Sequence, residues 1–417
     1  MTLGPLDGIV VLDLSRALAG PIAAMMMGDM GARVIKVETP DGGDDSRSWG
    51  PPYVGSDGDM HATYFMSANR NKESIRLDLK SDTGQRTLTR LIRRADVLVE
   101  NFRPGGFARL GFTPEVVEQI NPRLITLSVT GFGHDGPEGT RAGYDQIAQG
   151  EAGLMSVTGS PDTGPVRIGV PIADVLAGMQ GAFGIAAALI DRDKTGSGAV
   201  VRTSLLAAAV SAHAFHGTKW TVGKEVSGLA GNHHPQIAPY GSFRCRDGWV
   251  QLAVGTEAIW RQFAPVLGLN ADDARFRANH LRVANREELV TTIECALSCI
   301  DRDDLLNQLS DAGVPAGGIR SLNEVYESEQ TRSQGLIINV KHSSVGSISL
   351  PGPAIRIETP TGLTLLRQEH DAPPVLGEDT DAVLSWLDET DARSNEPVCA
   401  AGSVMHHRSN GAGNGGR

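Results

Sequence analysis

What most limits the fold of this chain is the rhythm of its first forty residues. Ile9–Leu14 (Ile-Val-Val-Leu-Asp-Leu) reads as a buried strand. Gly20-Pro21 then opens a helix, where the amide hydrogen that proline lacks is not needed, and the apolar run through Met25-Met26-Met27 carries it to about Met30. Gly31 stops it, and Arg33–Glu38 forms a second strand. Strand, helix and strand within about thirty residues leave one stereochemical solution, a right-handed crossover joining parallel strands. Further strands are expected at Asp96–Glu100 and Leu124–Val129, each after a helical segment, so the chain begins as a Rossmann-like α/β layer. Glu38 stands where a dinucleotide fold keeps its ribose-binding acid. The first turn, Ser15-Arg-Ala-Leu-Ala-Gly20-Pro21, lacks the glycine fingerprint that admits a pyrophosphate, which argues against a nicotinamide enzyme.

With 417 residues there is chain for more than one core. Residues 1–217 read as the first part of a large α/β domain and 218–232 as a linker. Residues 233–318 read as a smaller α+β domain, opened by a hairpin around Asp247-Gly248. Residues 319–393 form a return segment that rejoins the large domain, and the Gly/Asn/Ser/His-rich stretch 394–417 is expected to be a disordered tail. A net charge of −11 and only 5% aromatic residues disfavour nucleic acid as a partner. Cys245, Cys295, Cys299 and Cys399 have no zinc or redox spacing; Cys295 and Cys299, four apart on a helix, read as packing residues. His213, His216, His233 and His234 lack acidic or thiol partners at ligand spacing, so no metal site is assigned. The apolar run Val175–Ile190 is too short and too broken by glycine for a membrane span, and no signal peptide precedes it; a cytoplasmic protein is the default expectation.

Within that acidic chain, basic residues cluster locally. Lys72, Arg76 and Lys80, then Arg86, Arg90, Arg93 and Arg94, then Arg103 and Arg109 offer a positive surface suited to a phosphorylated ligand. The Gly/Asp/Pro-rich loop between Pro40 and Tyr64 is long enough to have a function of its own. Asp174, in Gly169-Val-Pro-Ile-Ala-Asp174, sits between a Gly/Pro entry and a long Ala/Gly-rich run that reads as a buried helix. A carboxylate there has two readings: a helix cap, and a nucleophile kept ionised by the helix N-terminus. His134, in a glycine-rich loop, has the residue type of a base, but a loop histidine beside Asp135 is more often simply solvated.

The ordered set Pro5-Leu-Asp-Gly-Ile-Val-Val-Leu-Asp13, Ala19-Gly-Pro21, Gly31-Ala-Arg-Val-Ile-Lys-Val-Glu38, Asn71-Lys-Glu-Ser-Ile, Glu100-Asn-Phe-Arg-Pro-Gly105, Leu110-Gly-Phe, Asn121-Pro-Arg-Leu, the Asp174 stretch, Gly313-Val-Pro-Ala-Gly317 and Pro374-Val-Leu-Gly377 resembles the class III CoA-transferases. That group includes the formyl-CoA:oxalate and carnitine enzymes, and the likeness spans about residues 4–385. It implies an interlocked homodimer, acyl-CoA and a carboxylic acid as substrates, no tightly bound cofactor, and Asp174 as nucleophile. The CoA site would carry over to Leu18 and Ala19, to Leu77, Asp78, Leu79 and Lys80, to Asn101, Phe102 and Arg103, to Arg109, and to Ala142, Gly143, Tyr144 and Asp145. An acceptor pocket would use Tyr144, Gly255–Glu257 and the 40–64 loop, with backbone near Gly178 and Gly255 supplying an oxyanion hole. There are departures. Thr39 and Ala142 stand where some members hold a basic residue, and Val254-Gly255-Thr256-Glu257 replaces the glycine run of oxalate-active members, which weakens formyl-CoA:oxalate exchange as the reaction. From the resemblance alone, short dicarboxylates such as succinate are the first donor expectation. The related α-methylacyl-CoA racemases keep a histidine at the position of Tyr144, and a tyrosine of ordinary pKa is a poor base. An inactive CoA-binding protein is the reading from another class, and retention of Asp174 together with the basic elements argues against it.

Overall fold

The computed structural model describes residues 4–395. Six parallel strands form its central sheet: β1 (Val10–Asp13), β2 (Arg33–Glu38), β3 (Lys72–Arg76), β4 (Val97–Glu100), β5 (Ile125–Thr130) and β6 (Ala199–Ser204). Their spatial order is β6-β5-β4-β1-β2-β3. The expected crossover is present as α1 (Ala19–Asp29), which returns the chain so that Val10 lies against Arg33 and Val11 against Val34. Strand order reverses at β1, with β2 and β3 on one side and β4 to β6 on the other. Ligands of such sheets collect at that switch point, outside the carboxyl ends of the strands.

Alternating side chains of the buried strands supply two cores. Val11, Val34, Val99 and Leu127 meet the alanines of α1 and of α4 (Ile172–Thr195) on one face, and α3 (Asp145–Glu151) and α5 (Leu205–Ser211) add to that layer. Leu12, Ile35, Ile75 and Leu98 meet Leu88, Leu91 and Ile92 of α2 (Asp82–Arg94) on the other. Glu38 has no free carboxylate for a ribose: buried, it takes Arg47 Nε and Nη2 at 2.7 Å each and the Ser74 hydroxyl at 2.6 Å.

The apolar run around Asp174 is longer than its glycines suggested. α4 has 24 residues and is, by length and composition, apolar enough to cross a membrane. Its glycines explain how it packs instead. A Cβ on Gly178 would stand 2.7 Å from the Ala19 carbonyl oxygen, and one on Gly181 would stand 2.7 Å from a Leu127 methyl. These positions lay α4 directly on α1 and the sheet, while Met179, Phe183 (78% exposed) and Ile190 face outward. Gly178 is therefore a packing residue inside a helix, not a supplier of an oxyanion-hole amide.

A separate core holds the smaller unit. The antiparallel strands β7 (Tyr240–Arg244), β8 (Trp249–Ala253) and β9 (Ala316–Gly318) cover Phe243, Val250, Trp260, Phe263, Leu289, Ile293 and Leu305. Cys295 and Cys299 do not pack there. The buried stripe of helix Arg286–Leu297 is Leu289, Ile293 and Leu297, which leaves Cys295 exposed, and Cys299 lies exposed beyond the helix end. After the hairpin β10 (Ile337–His342) and β11 (Gly346–Pro351), the chain rejoins the sheet. Gly377 N donates to Ser74 Oγ at 2.8 Å, and α6 (Thr380–Asn395) places Val383 and Leu387 in the α2 core. This helix reaches into the stretch expected to be a tail, and the remainder of that stretch lies outside the described residues.

Because the atom facing Gly178 is backbone, Gly178→Ala forces α1 and α4 apart. We expect a loss of about 1–3 kcal/mol in urea denaturation, with activity falling further than stability because α1 begins at the cavity at the switch point.

Candidate active site

A cavity of about 900 Å³ opens at the switch point. Leu14, Arg16, Ala17 and Ala19 come from the β1–α1 turn, Asn101–Pro104 from the loop after β4, and Val129–Gly131 from the end of β5. Arg141–Gln146 form the entry to α3, and Arg167, Gly169, Pro171 and Asp174 the entry to α4. Asp45, Trp49 and Tyr64 of the 40–64 loop close one side, with Trp49 packed edge-on against Tyr64 at 4.9 Å.

The turn is held by polar contacts made for that purpose. Asn101 grips Arg16 from both sides, its Oδ1 accepting from Arg16 N at 2.9 Å and its Nδ2 donating to Arg16 O at 2.8 Å. Ala17 adopts a left-handed backbone (φ 65°) and donates its N–H to buried Asp44 at 3.0 Å. A non-glycine residue in that conformation is strained and persists only where its surroundings impose it.

Asp174 occupies the first turn of α4 but does not cap it. Ile172 N donates to the Val170 carbonyl at 2.8 Å. Ala173 N and Asp174 N both donate to Oδ1 of Asp145, at 2.7 and 3.4 Å. Asp145 in turn receives Gln149 Nε2 on its other oxygen at 2.6 Å. The cap thus comes from a different helix, and among the described residues the Asp174 carboxylate has no hydrogen-bond donor in the cavity. The helix N-terminus does not keep it acidic. Burial first, and the charge of Asp145 second, push its pKa from 3.8 up to about 7. Tyr64 faces the same pair: burial and the charges of Asp174 and Asp145 raise its pKa, so its hydroxyl stays protonated.

Of the positions carried over from the resemblance, Ala19, Asn101, Phe102, Arg103, Ala142, Gly143, Tyr144, Asp145 and Asp174 line this one cavity. Leu18, Leu77, Asp78, Leu79, Lys80 and Arg109 do not. Leu18 is buried under the turn, and Leu77 and Leu79 pack against the same core as Phe102. Asp78 Oδ1 accepts Lys80 N at 3.0 Å, Lys80 itself is exposed, and Arg109 leans on the Pro104 carbonyl at 3.4 Å. Gly255–Glu257 also lies outside. Thr256 caps helix Glu257–Val266, and Glu257 pairs with Arg282 at 2.9 Å. His134 belongs to a neighbouring cavity, its Nε2 2.8 Å from Ser128 Oγ. Among the charged lining residues, Arg16, Arg141 and Arg167 were not anticipated, since the chain order separates them from the basic clusters.

The fold that places this carboxylate at the switch point of a parallel sheet is shared with known proteins. Residues 6–380 match CoA-transferase family III, and the chain belongs to that family and is an enzyme of its class. It is 38% identical over 405 residues to the succinyl-CoA:glutarate CoA-transferase of Mus musculus, covering 97% of this chain and 91% of the relative. It is 40% identical over 400 residues to the succinate–glutarate CoA-transferase of Agrobacterium fabrum, covering 94% and 98%. Among solved structures, a CAIB/BAIF family protein from Brucella suis superposes with a TM-score of 0.82 at 37% identity, over 93% of this chain and all of that one.

A carboxyl group whose pKa is higher folded than unfolded binds its proton more tightly in the native state, so folding loses stability as pH rises from about 4 to about 7. Asp174→Asn removes that loss. In thermal melts the variant should be more stable than wild type at pH 8 by roughly 2–4 kcal/mol, with the difference gone by pH 4.

Proposed function

We propose that this enzyme moves CoA from an acyl-CoA thioester to a free carboxylic acid with Asp174 as the covalent nucleophile. The observation that carries this is the Asp174 carboxylate itself, half-buried at the switch point and released from capping by Asp145. Its ionised form attacks the thioester carbonyl, expelling CoA thiolate and leaving an aspartyl–acyl anhydride. The thiolate returns to the aspartyl carbonyl, releasing the first acid and forming an aspartyl–CoA thioester. The second carboxylate attacks that thioester, expelling thiolate again, and thiolate attack on the new acyl group restores Asp174 and frees the new acyl-CoA. One thioester is exchanged for another, so no separate energy source enters. Each tetrahedral oxyanion calls for donors that sit still, a contribution of about 3–4 kcal/mol apiece, and the protonated Tyr64 hydroxyl beside the two carboxylates is one candidate.

CoA would run past Ala19, Asn101–Arg103 and Ala142–Asp145, with Arg109 and Lys80 at its outer, phosphate-bearing end. Dicarboxylates are the substrate class this cavity suits, with four arginines on its wall and two relatives named for succinyl-CoA and glutarate and for succinate and glutarate. Racemisation is disfavoured because, among the described residues, no histidine lines the cavity. The outward apolar side chains Phe183, Trp220 and Val222 support assembly with a second chain.

Incubation with succinyl-CoA followed by hydroxylamine should place a hydroxamate on the Asp174 peptide by mass spectrometry, and Asp174→Ala should lose roughly 10³-fold or more in rate. Deuterium uptake at the α-carbon of a 2-methylacyl-CoA without any adduct would point to racemase chemistry instead. Because attack needs the ionised form, kcat/KM should rise with pH and level off above about 7. Asp145→Asn, which keeps the capping oxygen and removes the charge, should move that midpoint to lower pH.

A further inference from the structure

Three of the four cavity arginines are already occupied or stand on the CoA side. Arg141 is held between Glu138 and Glu151 and lies over the Phe132 ring at 4.3 Å. Arg16 is 3.9 Å from Asp45 on the turn pinned to Asn101. Arg103 stands beside Asn101 and Phe102 on the loop after β4.

Arg167 differs in three respects. It lies on the strap that leads straight into α4, five residues before the helix begins. The strap is anchored on both sides of it: Val166 N donates to the Thr158 carbonyl at 2.9 Å, and Ile168 N donates at 2.8 Å to Oε1 of the fully buried Gln149. The guanidinium folds back along the strap through Nη1, which donates to the carbonyls of Ile168 and Gly169 at 3.2 and 2.8 Å. Among the described residues no carboxylate pairs with it, and its Nε and Nη2 have no partner. Arg167 and Asp174 line the same cavity.

We propose that Arg167 is the specificity-determining residue of the acid pair, its free edge receiving the distal carboxylate of a dicarboxylic acyl group whose other end reacts at Asp174. This rests on the transferase reading above. A planar guanidinium held by a rigid strap offers two parallel N–H donors to a carboxylate, a match that an ammonium group makes only as a point charge. The same pocket serves donor acyl group and acceptor acid in turn, so one arginine selects both.

The test is initial-rate kinetics of the full chain with succinyl-CoA as donor and, as acceptor, glutarate or pentanoate, which has the same carbon count but one carboxylate. In a ping-pong cycle kcat/KM for the acceptor reports only the second half-reaction, so effects on the donor drop out. Wild type should prefer glutarate, and Arg167→Gln should cut the glutarate-to-pentanoate ratio of kcat/KM by roughly 10- to 100-fold. Arg167→Lys should recover part of the ratio, and Arg167→Glu should turn the preference toward 5-aminopentanoate. An unchanged ratio, or equal losses for both acids, overturns the proposal in favour of a strap-bracing role. Should Arg167→Gln not fold, the ratios of wild type and Arg167→Lys decide the matter, and a wild type indifferent to the second carboxylate overturns the proposal. A wild type that passes CoA to neither acid would fail separately, in its own arm, and would take the transferase reading with it.

Discussion

Everything around the cavity rests on a knot of buried charge under the β1–α1 turn. Lys36 Nζ, on β2, lies 2.9 Å from Asp44 and 3.6 Å from Asp13 and donates to the Ser15 carbonyl at 2.8 Å. Lys72 Nζ, on β3, donates to Asp13, to the Pro21 carbonyl and to Asn69 at 2.8–2.9 Å. Burial alone would neutralise Asp13, but the two ammonium groups hold its pKa at about 2. Burial does pull Lys72 down, to about 8, against the pull of Asp13. Buried pairs of this kind contribute little over an apolar substitute, yet removing one partner costs about 3–5 kcal/mol. Their use here is positional. The turn from Ser15 to Pro21 leaves a strand and enters a helix, so its backbone groups have no ladder to join, and the lysines and Asp44 supply the partners instead. The same Asp44 ties the 40–64 loop to the turn, so Trp49 and Tyr64 on one side and Ala19 and Asn101 on the other are set by one network.

Packing completes what charge begins. Glycines at 178, 181 and 184 each meet a neighbour at a distance that a Cβ would not allow. They bring the N-terminal turn of α4 against the start of α1, and therefore bring Asp174 to the turn that the lysines hold. Asp145 then does for α4 what Asp174 would otherwise have to do. Two carboxylates at one helix end take separate work because their surroundings differ: one is filled with N–H donors, the other is left in a poorly solvated cavity.

How much of this was legible beforehand follows from the range of the forces involved. The βαβ start was readable because period and punctuation are local, and β2 falls on the expected residues. Asn71-Lys-Glu-Ser-Ile and Pro374-Val-Leu-Gly377 were readable as landmarks but not as parts. Only in three dimensions does Lys72 reach Asp13, or Ser74 receive Gly377 from some three hundred residues away. The length of α4 is not legible in the sequence because glycine ordinarily weakens a helix, where here it is a contact surface. The exposure of Cys295 is not legible either, because the buried stripe of its helix is set by Leu289, Ile293 and Leu297, and four-residue spacing alone does not say which face is inward. Asp174 was readable, but its electrostatics were not: proximity to a helix N-terminus suggested a stabilised anion, and burial beside a second carboxylate gives the reverse.

That reversal bears on the proposed cycle. Every covalent state of Asp174 in it, anhydride or thioester, is neutral at the aspartyl oxygens, and only the resting state carries the charge. A cavity that raises the carboxyl pKa from 3.8 to about 7 has made the resting anion less stable relative to any neutral form. The physical origin is loss of water and the repulsion of Asp145, and both are relieved when an acyl group or CoA replaces the charge. An acidic aspartate, comfortable at the helix end, would resist acylation, since its anhydride and thioester would lie far uphill of the ion. An aspartate destabilised as an ion brings those intermediates closer in free energy to the resting enzyme, which a reaction that exchanges one thioester for another requires of each intervening state. The N–H donors at the end of α4 would have abolished this had they gone to Asp174. By taking them itself, Asp145 leaves the carboxylate proposed as nucleophile without those donors.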